Sequence, residues 1–259
     1  MGLFYVPLRR LVYTSLGVLS CVLKSRPLPV FVLCYHSISD DGWYFSVTLE
    51  NFKKQINHLK DNFEIISLSD LESYVDGKLN FDRPAVVVTF DDGYKNILTI
   101  CDFYKDIKVK PSVFVIADTK ATNFGELKTK REFLSKTDIK RLVKDGWEVG
   151  SHTLTHPDMY NLNQFDLENE VLRSKKMIEK DLGIKVRYLA YPKGRYTNKV
   201  IEMTKRAKYK MALTMDDDLI DINTDKLKIP RIGVDNTHSL FEFKYLYYPL
   251  LSKLRKLLK

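Results

Sequence analysis

Short β-rich apolar runs return along this chain with a helical signal between most of them, and few folds accept that alternation. The runs are VFVLCYH (Val30–His36), FEIISLS from Phe63, AVVVTF (Ala85–Phe90), PSVFVIA from Pro111, WEVGSH from Trp147, VRYLAYP from Val186, KMALTM from Lys210 and KIPRIGV from Lys228. AVVVTF has no polar alternation, as expected of a strand buried on both faces. Between the runs lie segments with apolar residues at helical spacing. Phe52, Ile56 and Leu59 mark the first, a short one surrounds Leu71, and others cover 94–104 and 198–207. Thr137 reads as an N-cap for a helix closing at Gly146. Leu167, Val171, Ile178 and Leu182 keep phase along a long helix over 164–182 that stops at Gly183. Repeated β-then-α predicts an α/β fold with a parallel sheet and helices outside it. Seven or eight such units in 259 residues fit a closed or nearly closed barrel.

In such a barrel the chemistry collects where the strands end. His36, Asp91 and Asp92, Ser151 and His152, Tyr191 and Pro192, and Arg231 all fall at or near a strand end. Two adjacent carboxylates at the end of an apolar strand are unfavourable unless something uses them. In SHTLTHP (Ser151–Pro157), His152 and His156 are four apart, so one helical turn sets both imidazoles on one face. Two histidines and one aspartate hold a divalent cation and leave coordination positions open for water and substrate. Asp92 coordinated to that cation would leave Asp91 beside it.

TFDDG and HTLTH together resemble the first two motifs of the polysaccharide deacetylases, the NodB-like carbohydrate esterases, over most of residues 30–235. The resemblance implies a distorted (β/α)7 barrel and removal of N- or O-acyl groups from sugars. It also implies a divalent metal, zinc first, with cobalt, nickel or iron(II) as alternatives. By position it implies Asp92, His152 and His156 as metal ligands and Asp91 as general base. AYPKG (Ala190–Gly194) resembles the third motif, often R-x-P-Y-G, so Lys193 is expected to offer a backbone N–H to the oxyanion. Tyr191, Pro192 and Gly194 complete that substrate-side segment. The chain departs from the motif at Ala190, where many members carry an arginine that braces the base, and at Lys193, where tyrosine is common. Arg231 can replace the missing arginine from a neighbouring strand, or it is a salt bridge closing the barrel. YHSIS and the region after it resemble the circularly permuted poly-N-acetylglucosamine deacetylase branch. That makes His36 the expected general acid; the alternative is a buried structural histidine.

The formal charge of +9 sits at the ends. Residues 1–26 carry Arg9, Arg10, Lys24 and Arg26 with no acid, and residues 239–259 carry five basic residues against Glu242, so the body is close to neutral. A nucleic-acid binder would more often carry a basic stripe across its fold, so no nucleic-acid partner is expected. Leu11–Leu23 is apolar but too short to span a bilayer. It reads as an anchor or signal-like segment, 1–26, before a barrel over 27–238. Residues 239–259 read as a basic amphipathic helix, with Leu250, Leu254, Leu257 and Leu258 on one face. That helix either covers the barrel or lies on a membrane surface. The expected substrate is an N-acylated glycan or its lipid-linked precursor, and the expected place is a membrane, the cytoplasmic face before an exported one. A glycan-binding barrel without activity, or a deformylase or cyclic-amide hydrolase on the same scaffold, remain the alternatives. Three cysteines, Cys21, Cys34 and Cys101, form no disulfide or metal pattern. Trp43 and Tyr44 could stack on a sugar ring, Asp118 and Asn123 could touch substrate, MDDDLID from Met215 reads as a solvated loop and His58 as a surface residue.

Overall fold

A computed structural model of the protein describes residues 5–22, 29–107, 109–123, 127 and 129–257. Its centre is a parallel sheet in the order β10-β1-β5-β6-β7-β8-β9. The strands are β1 (Val30–Tyr35), β5 (Ala85–Phe90), β6 (Ser112–Val115), β7 (Glu148–Ser151), β8 (Tyr188–Ala190), β9 (Met211–Leu213) and β10 (Ile232–Gly233). The ring closes through the last of them. Ile229 bridges Leu213 in parallel, and four residues later β10 pairs with β1 at Cys34↔Gly233. Seven strands therefore enclose one barrel, as expected. The distortion lies at β4 (Glu64–Ile66), which pairs with the first half of β5, while β6 takes the second half from Thr89 onward. β2 (Ser37–Ile38) and β3 (Ser46–Val47) form a separate small ribbon over the strand ends.

The apolar runs are continuous because both faces of the strands are buried. Val30, Val32, Val87, Phe114, Ala190, Met211 and Leu213 fill the barrel with Leu68 and Leu71. Phe31, Leu33, Val86, Val88 and Phe90 point the other way into the outer layer. α3 (Leu68–Val75) packs on the barrel interior through Leu68, Leu71 and Val75, and the outer layer comprises α2 (Leu49–Asn62), α4 (Cys101–Ile107), α5 (Lys136–Lys144), α6 (Gln164–Glu168), α7 (Ser174–Leu182) and α8 (Asn198–Arg206). α5 starts two residues earlier than expected: Ser135, not Thr137, caps it, and Asp138 completes the capping box. The expected helix over 94–104 is a 3-10 segment from Lys95 to Ile100 that passes into α4. The long helix over 164–182 is present, but residues 169–173 form a π turn between α6 and α7. Gly183, at φ 71, ends it.

The two ends of the chain pack on the barrel. α1 (Tyr5–Val22), α9 (Leu240–Phe243) and α10 (Pro249–Leu257) meet one another, and Tyr13, Phe243, Tyr247 and Leu251 join the outer core. The buried face of α10 differs from the expected one. Leu251 and Ser252 are inside, and Arg255 reaches the buried Asp217. MDDDLID is therefore not simply a solvated loop. His58 is half-buried and bonds the Tyr247 hydroxyl at 2.7 Å, because α9 and α10 cover the face on which it sits. Leu258 and Lys259 lie outside the described residues. Among the described residues no helix is long and apolar enough to cross a membrane.

Candidate active site

β5 delivers Asp91 and Asp92 straight from its end, and the backbone there turns through the left-handed region at Asp92 and Gly93, φ 67 and 71. Gly93 also lies close under Val115: a Cβ would meet its side chain at 3.0 Å. The reversal sends the two adjacent carboxylates to different partners. Asp91 is gripped by Arg231, with Nη1 donating to Oδ1 and Nη2 to Oδ2, each at 2.7 Å. Arg231 comes from the segment that closes the barrel and is itself fixed by Thr214 O and Thr89 Oγ1. The Cys34 thiol adds a third donor to Asp91 at 3.3 Å. Burial alone would raise the Asp91 pKa, but Arg231 and the neighbouring imidazoles outweigh it and hold the carboxyl well below its ordinary range.

Asp92 faces the histidines. Its Oδ1 lies 3.3 Å from His152 Nε2 and 3.5 Å from His156 Nε2. That oxygen is buried and no hydrogen-bond donor reaches it in an acceptable geometry. The three ligand atoms lie within 4.8 Å of one another. Burial opposes ionisation of Asp92, yet the imidazoles hold its pKa down at about 2. His152 donates Nδ1–H to Ala190 O at 2.8 Å, which leaves Nε2 as a lone pair aimed at Asp92. His156 is kept neutral first by burial and then by His152, with its pKa lowered to about 4. Burial lowers the His152 pKa, but Asp91, Asp92 and the Ala190 carbonyl outweigh it and raise it. Two imidazole nitrogens and an ionised carboxylate with an orphaned oxygen are the donor set a divalent cation takes.

The two histidines do not share a helix face. Ser151 ends β7, and Thr153 and His156 both take left-handed backbone, φ 67 and 65. A tight loop, not a helical turn, brings the rings to 4.8 Å between centroids. Glu170 holds that loop: its carboxylate accepts from Leu154 N, Thr155 N and Thr155 Oγ1. Glu170 sits in the π turn of the long helix. Nothing in the sequence marks it, since the apolar phase runs through unbroken.

A cavity of about 350 Å³ opens over the group, lined by His36, Trp43, Phe45, Asp91, Asp92, Leu127, His152, His156, Lys193, Gly194 and Met215. His36 follows β1 directly, and its Nδ1 has no partner. Burial lowers its pKa against the pull of both aspartates. Lys193 takes left-handed backbone, φ 58, and Gly194 presses so close to Met215 that a Cβ would lie 2.5 Å from it. Tyr191 does not line the wall as expected, and neither does Pro192. The Tyr191 hydroxyl turns away to Leu227 O at 3.0 Å, because the strand alternation at β8 points that side chain into the outer layer. Trp43 does line the cavity, braced by the Arg131 guanidinium 4.1 Å from its ring centre. Tyr44 is on the rim and outside the lining. Asp118 is occupied capping its own turn at Ala121 N, and Asn123 is also absent from the lining. Phe45, Leu127 and Met215 supply an apolar wall that no motif announced.

Comparison with known proteins agrees with this geometry. The family described as polysaccharide deacetylase matches residues 78–212. YxkH of Bacillus subtilis, provisionally named a polysaccharide deacetylase, is 24% identical over 193 residues, covering 74% of this chain and 66% of its own length. The poly-β-1,6-N-acetyl-D-glucosamine N-deacetylase of Staphylococcus aureus is 27% identical over 233 residues, 83% of this chain and 76% of the relative. Among solved structures, IcaB from Ammonifex degensii superposes with a TM-score of 0.75 at 20% identity, over 88% of this chain and 98% of that one. That likeness speaks to the fold.

Proposed function

Because the chain belongs to the polysaccharide deacetylase family, we propose that it hydrolyses the amide of an N-acetylated sugar, using one divalent cation. The observation that carries this reading is the split between the two neighbouring aspartates. Asp92 Oδ1 is orphaned between two imidazole nitrogens, while Asp91 is pinned from behind by Arg231.

Asp92, His152 and His156 would hold the cation, zinc being the first choice for an N,N,O set. A bound cation supplies Lewis acidity: it polarises the acyl oxygen and makes water more acidic. That help is needed here. A carboxylate held as far below its ordinary pKa as Asp91 is a weak base, so it takes a proton only from water that has been acidified. Arg231 keeps Asp91 ionised and fixed in direction. His36, in the lining of the same cavity, would protonate the leaving amine. The backbone N–H of Lys193 would face the oxyanion, in the turn that the left-handed φ of that residue creates. Phe45, Leu127 and Met215 would enclose the acyl methyl, and Trp43 would stack on the sugar ring. A lipid-linked sugar is a second form of the substrate, favoured by the basic ends of the chain.

Acetate release from chito-oligosaccharides tests the reading. Chelation should abolish release and one equivalent of Zn2+ or Co2+ should restore it. His156→Ala should lower both bound metal and turnover. Release that survives chelation, or a metal-loaded chain that frees no acetate from any N-acetylated sugar offered, would refute it.

A further inference from the structure

β1 and β5 run parallel, with Cys34 opposite Thr89 and Tyr35 opposite Phe90, and side chains alternate along each strand. Val30 and Val32 face the barrel interior, while Phe31 and Leu33 face the outer layer. The same alternation puts Cys34 and His36 on the inner side, and on β5 it brings Asp91 there after Val87 and Thr89. The Cys34 thiol, the His36 imidazole and the Asp91 carboxylate therefore gather at one level of the barrel. One ligand atom from each lies within 4.8 Å of the other two. None of the three belongs to the Asp92–His152–His156 group, although the groups adjoin: Asp91 Oδ2 is 3.8 Å from His152 Nε2.

The spacing is that of ligands around one ion. Zinc bonds of about 2.3 Å to sulfur and about 2.0 Å to oxygen, at a tetrahedral angle, hold those two atoms about 3.5 Å apart. Cys34 Sγ and Asp91 Oδ2 are 3.3 Å apart, joined by the thiol proton. A cation in the place of that proton keeps both atoms nearly where they are. His36 supplies a third ligand: its Nδ1 is buried without a partner, so no hydrogen bond from that atom holds the ring against coordination. His36 and Asp91 line the cavity and give an ion its way in, while Cys34 is fully buried behind them.

We infer that Cys34, His36 and Asp91 form a second, weaker site for a divalent cation, and that filling it inhibits the enzyme. Sulfur, nitrogen and oxygen together suit zinc or cobalt(II) and reject magnesium and calcium, which take oxygen. Binding forms a metal–sulfur bond and breaks the S–H bond, with the proton released to water in the cavity. Two features make this site weaker than the one at Asp92. Its thiol must give up a proton, and its carboxylate is already shared with the Arg231 guanidinium at 2.7 Å, a cation that repels another. The inhibition rests on the deacylase reading, in which Asp91 takes a proton and His36 delivers one. An ion held by both removes base and acid together, so metal in excess reverses the gain of the first equivalent.

Cobalt separates the two sites, because only the second offers sulfur. The metal-free full chain titrated with Co2+ should show no thiolate-to-cobalt charge-transfer absorption in the near ultraviolet over the first equivalent and should gain it over the second. Cys34→Ser should abolish that absorption, and Cys21→Ser/Cys101→Ser should retain it. With Zn2+, acetate release at about ten equivalents should fall about tenfold below the rate at one equivalent, and in Cys34→Ser by less than about twofold, each variant serving as its own reference. Absorption that is missing from the parent at two equivalents, that arises with the first, or that survives in Cys34→Ser overturns the site. An equal fall at excess zinc in the parent and in Cys34→Ser overturns the inhibition. The spectrum needs no turnover, so a chain that gains the absorption and frees no acetate keeps the second cation site and loses the deacylase reading.

Discussion

Among the described residues Arg231–Asp91 and Arg255–Asp217 are arginine–aspartate pairs with a buried carboxylate, and they serve different ends. Arg231 grips Asp91 beneath the cavity at 2.7 Å through both nitrogens. Arg255 grips Asp217 beneath α10, with Nη2 2.8 Å from Oδ1. The second pair is held by its surroundings: Arg255 also reaches Leu246 O, and Ser252 donates to Asp217 O at 2.8 Å, although Arg255 Nη1 finds no hydrogen-bond partner. It staples the C-terminal helix to the loop after β9. The first pair stands beside a second carboxylate, three histidines and a cavity. A buried ion pair is thus no mark of a site by itself. What separates the two is that several polar atoms without partners, Asp92 Oδ1, His156 Nδ1 and His36 Nδ1, belong to residues that line one cavity.

Substitutions should pull the two pairs apart. Asp91→Asn should lower kcat for an acetylated sugar by about 10³- to 10⁴-fold while bound metal is retained; a loss under tenfold would remove Asp91 as the base. Arg255→Ala leaves Asp217 buried and unpaired, which costs about 3–5 kcal/mol in urea unfolding. Its kcat per folded molecule should stay that of the parent. A stable Arg255→Ala, or one that is folded but inactive, would erase the contrast. His36→Ala should cost about 10²-fold on sugar amides and little on activated aryl acetates, which need no proton on the leaving group. Equal losses on both would make His36 structural.

The smallest effect concerns the aromatic wall. Arg131 braces Trp43 and pairs with Asp41. Burial is the largest single influence on Asp41 and opposes its ionisation, but hydrogen bonds from Arg131, the Trp43 backbone, Ser46 and Ser39 together outweigh it and lower the pKa to about 2. A lowered carboxyl pKa adds stability above the unfolded value of about 3.9 and loses it as the pH falls toward the folded one. Trp43 emission should therefore change between about pH 4 and 2, and Asp41→Asn should remove that step. The pair is partly solvated, so the contribution to global stability is slight.

Alternation of strand and helix made the barrel legible, and two short motifs brought Asp91, Asp92, His152 and His156 to one place. These signals are local: apolar period, strand end, residue type. What escaped them depended on backbone reversals and on partners far along the chain. The left-handed turns at Thr153 and His156 replace the expected helical spacing. Tyr191 was aimed at the wall, yet strand alternation turns it outward. The apolar period of the last helix says nothing of Arg255, because no period records a partner 38 residues away. Glu170 was invisible for the same reason.

The wide turn over 169–173 carries one residue more than a regular helix would need. Removing that residue would close the bulge into a regular turn, leaving the two flanking halves in phase but drawing the bulged backbone back into the helix. Glu170 would swing off the three donors of Leu154 and Thr155. A shortened chain of this kind should keep its barrel and hold the His152–His156 loop less firmly, so the length of an outer helix, and not only the identity of the proposed ligands, bears on whether the site can take up a cation.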